Sequence, residues 1–447
     1  MKYFNTATII VLVAWTSLLH AEEQPSDAPK LVPATRPEIK VALEALKQRK
    51  PRLPLPKSDA LGGVNNGRMR AAYLPETWGA GRGRGGWSAS RQASTGPGGH
   101  DARFGLDSNS AFDHAFTTSL FWVVSRGNNC HYCLGHQELK LRAAGLEDDT
   151  VAALDSDWSI FETRQQAALA YARKLTLEPH LVGDDDIARL KNTFSDLEII
   201  ELTFNIARFN ATNRWTDGLG LPQDTPFGEE DSRLDTPTSQ QFQTTVSLVA
   251  AATRAARPPL ATLKEVQDSI SACRKRQARV ALPIENEAET ALAGFVNRAP
   301  LAWERAMALV PDAGPRQVNS INTIMTDEHL PVRLKAELAL ISAVRNRAWY
   351  AVGHAAHRLR GLGVSTDEMV ALCSDDSLDS TNSAAARRLA TKLTTDPHLI
   401  TDMDIARVRA HFSDHETAQI VHVICMANFF DRFTEALGLR LEEDVCQ

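Results

Sequence analysis

Apolar residues recur at helical spacing along most of the chain. Residues 111–126 carry Phe112, Phe116, Leu120 and Val123 about one turn apart, the pattern of a helix with one buried face. Residues 130–144 follow Asn129, a suitable N-cap, and stop at Gly145, a residue type that ends helices. Residues 163–175 are Ala-rich. Ser195 and Glu198 have the spacing of a capping box and open a further helix over 199–215, and Ser413 and Glu416 repeat the signal. No stretch alternates β-branched and polar residues convincingly. The pattern predicts an all-α fold of helical bundles.

Two segments interrupt this pattern. Residues 7–19 form a short apolar run after Lys2 and lead to Leu19, His20 and Ala21, which reads as a secretory signal over 1–21 with the mature chain starting near Glu22. The run is too short to span a bilayer comfortably, and 246–252 is shorter still. Export to a periplasmic or extracellular space follows as the expectation, with no membrane contact after cleavage. Residues 79–106 are dense in Gly, Arg and Ser and read as a surface loop. Gly81, Gly83 and Gly86 match a dinucleotide-binding spacing on paper, but no strand precedes them, so the context that motif needs is missing.

Shifted by 218 positions, the chain aligns with itself. Tyr132, Gly135 and His136 fall on Tyr350, Gly353 and His354. Pro179-His180-Leu181 falls on Pro397-His398-Leu399, and Asp186-Ile187-Ala188-Arg189 on Asp404-Ile405-Ala406-Arg407. Upstream, Arg52 and Pro56 resemble Arg279 and Pro283 at a changed shift. One domain written twice explains the pattern. The expected organisation is a first copy over 36–222, a linker over 223–261 and a second copy over 262–440, giving two tandem helical bundles.

A length of 447 residues fits two domains, and a hydrophobic content of 43% suffices for two cores. The net charge of −6 argues against a nucleic-acid partner. Export would allow the six cysteines to form disulfides, although only Cys130 and Cys133 are close in sequence.

Those two cysteines carry the chemistry. In Cys130-His131-Tyr132-Cys133 they open a predicted helix, where free N–H groups and the helix dipole stabilise a thiolate. His136 lies about one turn after Cys133, positioned to take or return its proton. Tyr132 brings a phenol able to donate to a substrate oxygen. Three other readings compete. Haem attachment needs His directly after the second cysteine, where Leu134 stands. Zinc would use Cys130, Cys133 and His136, a cramped set on one short helix with the fourth ligand missing; no metal or cofactor is expected. A structural disulfide is the third, weakened because Ala348 and Ala351 replace the cysteines in the second copy while His354 remains. Asn210 and Arg214 match Asn428 and Arg432; they reach the site or make polar contacts near a helix end.

The stretch 111–222, through Cys130-His131-Tyr132-Cys133, His136 and Asn213-Arg214-Trp215-Thr216-Asp217-Gly218-Leu219-Gly220, resembles the carboxymuconolactone decarboxylase / alkylhydroperoxidase D family. Residues 288–439 resemble the same family without its cysteines. The resemblance implies a helical bundle that usually oligomerises, so a homo-oligomer is possible. It implies reduction of a small hydroperoxide by a peroxiredoxin-type reaction, with a thiol or dithiol as reductant. Cys130 and Cys133 would be the oxidised and resolving pair and His136 the proton carrier; Cys133, nearer His136, is the preferred peroxide-reactive thiol. The family's histidine more often stands where Gln137 is. Its relay glutamate falls on Thr118 here, and Glu138 or Glu198 would substitute. The alternatives are a non-catalytic helical scaffold or binding module, and a cofactor-free lyase using His136 and His354.

Overall fold

A computed structural model describes residues 34–56, 64–78, 110–224, 235–247, 249, 257–374, 382–443 and 445. The signal-like run, the Gly-rich stretch and Cys446 lie outside the described residues. Within them the fold is all-α, with 19 α-helices and no strand. No described helix is long and apolar enough to cross a membrane.

The first half holds α1 (Arg36–Ala45), α2 (Asn65–Tyr73), α3 (His114–Asn128), α4 (His131–Ala143), α5 (Asp148–Ser156), α6 (Thr163–Leu177), α7 (Asp184–Leu190) and α8 (Asp196–Gly218). A single turn, α9 (Gln240–Gln243), precedes the second half. That half holds α10 (Leu263–Lys275), α11 (Glu285–Ala291), α12 (Ala302–Ala308), α13 (Ala313–Thr326), α14 (Val332–Asn346), α15 (Trp349–Gly361), α16 (Thr366–Cys373), α17 (Ala384–Thr395), α18 (Asp402–Arg409) and α19 (Asp414–Ala436). The 218-residue shift carries the bounds of α3, α4 and α8 onto those of α14, α15 and α19.

Local chemistry explains the ends of the helices that matter. Asp113 starts α3 by accepting from Phe116 N at 2.7 Å. Asn129 is not an N-cap, as its sequence context suggested. It sits at φ 55° in the left-handed region and ends α3, a conformation Asn tolerates better than most residues. Arg347 repeats it at φ 51°. The break turns the chain so that Cys130 becomes the N-cap of α4. The capping boxes at Ser195 and Ser413 start α8 and α19 as their sequences predict.

Those two long helices meet each other at the centre of the molecule, in its most extensive helix–helix contact. Both are buried around most of their circumference, which is why neither shows a clean amphipathic stripe. Phe204 packs edge-on to Phe429, with centroids 5.4 Å apart. One apolar cluster runs through both halves, from Ile39 to Val445.

The contacts across this seam are reciprocal. Arg214 Nη2 donates to Thr394 O at 3.2 Å, and Arg432 Nη2 donates to Thr176 O at 3.4 Å. Arg52 Nε meets Asp402 Oδ1 at 2.8 Å, and Arg279 Nε meets Asp184 Oδ1 at 2.6 Å. Residues related by the sequence shift thus contact each other in both directions across the seam. The described part of the 223–261 segment is not a loose spacer. Lys40 Nζ donates to Thr236 O at 2.6 Å, Thr238 Oγ1 donates to Asp148 Oδ2 at 2.6 Å and Val249 N donates to Asp155 O at 3.1 Å. The buried Lys40 and Asp148 need these partners.

Candidate active site

The site forms where the start of α4 abuts the last turn of α8. Cys130 is fully buried and Cys133 is 2% exposed. Both are unbridged thiols. Cys130 Sγ accepts from Cys133 N at 3.3 Å, as an N-cap side chain does. Each sulfur lies 3.2 Å from Thr216 Oγ1, so one hydroxyl serves both.

Thr216 Oγ1 has one proton to donate. Its near acceptors are Asn213 O at 3.1 Å and Thr212 O at 3.2 Å. With the proton on the backbone, the oxygen accepts from both thiols. Turned round, it donates to a thiolate.

Burial and nearby charges act on this site. Burial raises the Cys130 thiol well above its ordinary value, and the hydrogen bond with Cys133 and the charge of Asp217 push it the same way. Arg70 on α2 and Lys140 on α4 lie close enough to interact with the charge of Cys133. Burial drives Lys140 down to about 7, with Arg208 adding to the effect. His131 is lowered to about 4 by burial and by Arg126 and Arg49.

His136 belongs to a second cluster built on Asp224. Its Nε2 is 3.0 Å from Asp224 Oδ2, and Tyr132 Oη donates to the same oxygen at 2.7 Å. Asn65 N donates to Oδ1 at 2.8 Å, and Asn66 N donates to Tyr132 Oη at 3.1 Å. The start of α2 is thereby tied to α4. Asp224 is the residue that motif reading missed. Its signal was a second carboxylate, Glu442, at the same 218-residue shift.

The second half repeats this cluster without sulfurs. Tyr350 Oη donates to Glu442 Oε1 at 2.8 Å, His354 Nε2 is 3.1 Å from Glu442 Oε2, and Ala302 N donates to Oε1 at 2.8 Å. The Tyr–His–carboxylate cluster therefore has a structural role independent of thiols.

The remaining sequence candidates stand elsewhere. Both carboxylate oxygens of Glu138 are bound by Arg36, at 3.1 and 2.9 Å. Glu198 caps the N-terminus of α8 and pairs with Arg164. It precedes Thr216 by 18 residues on one helix, about 27 Å along the axis, so it does not reach the sulfurs. Arg214 is buried against Asn128, Asn210 and the Thr394 carbonyl and holds the seam.

These features define a class: an all-α protein with a buried Cys-x-x-Cys pair at a helix start. No family model matches the chain. It is similar to a protein described as uncharacterised from Mycobacterium tuberculosis, in strains CDC 1551 / Oshkosh and ATCC 25618 / H37Rv, at 34% identity over 95 residues. That match spans 21% of this chain and 33% of the relative's length.

Proposed function

We propose that this protein is an exported thiol-dependent hydroperoxide reductase of the alkylhydroperoxidase D type. Cys130 and Cys133 cycle between dithiol and disulfide. The observation that carries this reading is the pair of reduced sulfurs at the start of α4, both 3.2 Å from the Thr216 hydroxyl. Cys133, with Arg70 and Lys140 in electrostatic reach, is the thiolate that attacks the peroxide. It becomes a sulfenic acid and releases the alcohol. Cys130 then attacks Cys133, a disulfide forms and water leaves. A thiol or dithiol reductant restores the pair.

His136, Tyr132 and Asp224 form the hydrogen-bonded end of the site, through which protons enter and leave. Because the sulfurs are closed off from solvent, turnover requires a local opening, and small hydroperoxides are the favoured substrates. The test is peroxide consumption with dithiothreitol as reductant, followed by thiol mapping with mass spectrometry. Cys133→Ser should abolish turnover, and only Cys130 and Cys133 should change state in the parent protein. Retained turnover in Cys133→Ser refutes the mechanism.

A second reading, a non-catalytic helical scaffold, draws support from the sulfur-free Tyr350–His354–Glu442 cluster. An inert cysteine pair in the same assay supports it.

A further inference from the structure

Asp217 follows Thr216 in the last turn of α8 and is 3% exposed. Neither of its carboxylate oxygens reaches full hydrogen-bond geometry, and the thiol of Cys130 is the side chain that comes nearest to donating to it. The groups facing it are Arg49 and Arg52 from the segment after α1, Arg214 on its own helix and Cys130 at the start of α4, with Cys133 next to Cys130. Arg49 Nη1 stops 4.0 Å from Oδ1.

The second half shows what this position does when no sulfur is present. Its equivalent is Glu435, one methylene longer, and Arg276 stands for Arg49. There the pair is closed: Arg276 Nη1 donates to Oε1 at 2.6 Å and Arg276 Nη2 to Oε2 at 3.3 Å. Trp349 N, at the start of α15, also donates to Oε2 at 2.9 Å. The shorter acid in the first half is held back from its arginine and left beside the thiol.

We propose that Asp217 is the buried base that takes the Cys130 proton when this sulfur attacks Cys133, and returns it when the disulfide is reduced. The inference rests on the dithiol–disulfide reading above. A buried thiol held protonated is a poor nucleophile until a neighbouring base removes its proton. In the closing step the S–S bond forms and the S–O bond of the Cys133 sulfenic acid breaks. The Cys130 proton goes to the Asp217 carboxylate, and the departing hydroxide takes a proton from solvent water admitted by the local opening and leaves as water. Cys130 is oxidised and the Cys133 sulfenic sulfur is reduced. In the reverse direction a dithiol reductant supplies the electrons, and protonated Asp217 protonates the leaving Cys130 thiolate. Burial holds Asp217 up to about 7, against the pull of Arg49 and Arg52, so it exchanges its proton near neutral pH.

The test uses full-length protein and two oxidants, hydrogen peroxide and oxidised dithiothreitol, from pH 5 to 9. With either, formation of the Cys130–Cys133 disulfide should accelerate through an inflection near pH 7. In Asp217→Asn the inflection should vanish and closure should slow by about 10²-fold, the lower range for a lost general base. Cys133 sulfenic acid, trapped with dimedone, should accumulate after peroxide. Asp217→Glu, a side chain that Arg49 is placed to capture as Arg276 captures Glu435, should lose the inflection too and serves if the Asn variant does not fold. An unchanged inflection in both variants overturns the inference. A parent protein that exchanges with oxidised dithiothreitol but ignores peroxide refutes the peroxidase reading while leaving Asp217 tested. A pair inert to both oxidants overturns the two together.

Discussion

Removing the Asp224 carboxylate is the sharpest way to separate architecture from chemistry at this site. Asp224→Ala deletes the acceptor for Tyr132 Oη, Asn65 N and His136 Nε2 at 2.7, 2.8 and 3.0 Å. A hydrogen bond to a charged group is worth about 1.5–3 kcal/mol, and a buried donor left unpaired costs about as much. His136 and Asp224 are each about one-tenth exposed, so water offsets part of the loss. The expected cost is about 3–4 kcal/mol. Asp224→Asn keeps an acceptor and should cost about 1 kcal/mol. Glu442→Ala removes the equivalent contacts in the second half and should cost the same as Asp224→Ala within about 1 kcal/mol. The halves should differ in thiol behaviour. Asp224→Ala should slow peroxide-driven disulfide formation at least tenfold, whereas Glu442→Ala should leave it unchanged. Urea unfolding gives the first comparison and mass-spectrometric thiol counting the second. If both variants slow the thiols equally, the His136–Asp224 cluster acts only through the stability of the whole molecule, and its assigned role in the chemistry is refuted.

The other expectations are more local. Glu198→Ala loses a helix cap and should lower stability by about 1 kcal/mol without changing thiol kinetics; a kinetic effect would revive it as a relay. Arg214→Ala and Arg432→Ala remove equivalent seam contacts, so each should cost about 2–4 kcal/mol in urea unfolding, and unequal losses would show that the halves do not share the seam evenly. Burial raises the Asp217 and Asp431 carboxyls to about 7 and about 8. The folded state then binds their protons more tightly than the unfolded chain. Their contribution is complete below the ordinary carboxylate range, near pH 4, and is lost as pH rises through 7 to 8, with a slope of up to about 1.4 kcal/mol per pH unit for each group. Buried His131 and Lys140, lowered by burial, contribute with the opposite sign, so the test is a difference: from pH 5.5 to 8.5 the urea midpoint of Asp431→Asn should fall less, or rise more, than that of the parent, and the same pH dependence in both contradicts the assignment.

Much of this fold was legible because its local signals agree with its global arrangement. Ser195 with Glu198 and Ser413 with Glu416 announce the two central helices, and the 218-residue shift carries their ends. The pair Cys130 and Cys133 was visible as a helix start, although Asn129 was misread because an N-cap and a left-handed C-cap favour the same residue. Thr216 was not legible as the shared partner of the sulfurs. It stands 83 residues beyond Cys133, and only the packing of α8 on α4 brings them together. Neither Glu138 nor Glu198 is placed to serve as a relay acid, for physical reasons. Glu138 has the right proximity in sequence, but a fully buried carboxylate needs a cation, and Arg36 supplies it. Glu198 was already marked as a cap, and a cap lies at the end of α8 opposite Thr216.

The two halves share more than a helix order, and the differences between them bear on what the sulfurs require. Ala348 has nearly the backbone angles of Cys130, φ −89° and ψ 85° against φ −83° and ψ 92°. Thr434 stands where Thr216 does, and the Tyr350–His354–Glu442 cluster is intact. Restoring cysteines at positions 348 and 351 would therefore rebuild the sulfur geometry on a scaffold already suited to it. It would not rebuild the proton path. Glu435 is bound by Arg276 and by the first amide of α15, so its carboxylate is committed to holding the fold. On the proposed chemistry, a second working site needs the acid shortened to Asp as well as cysteines at both positions, because the methylene that lets Glu435 reach its arginine ties up both carboxylate oxygens and leaves no free base for a thiol.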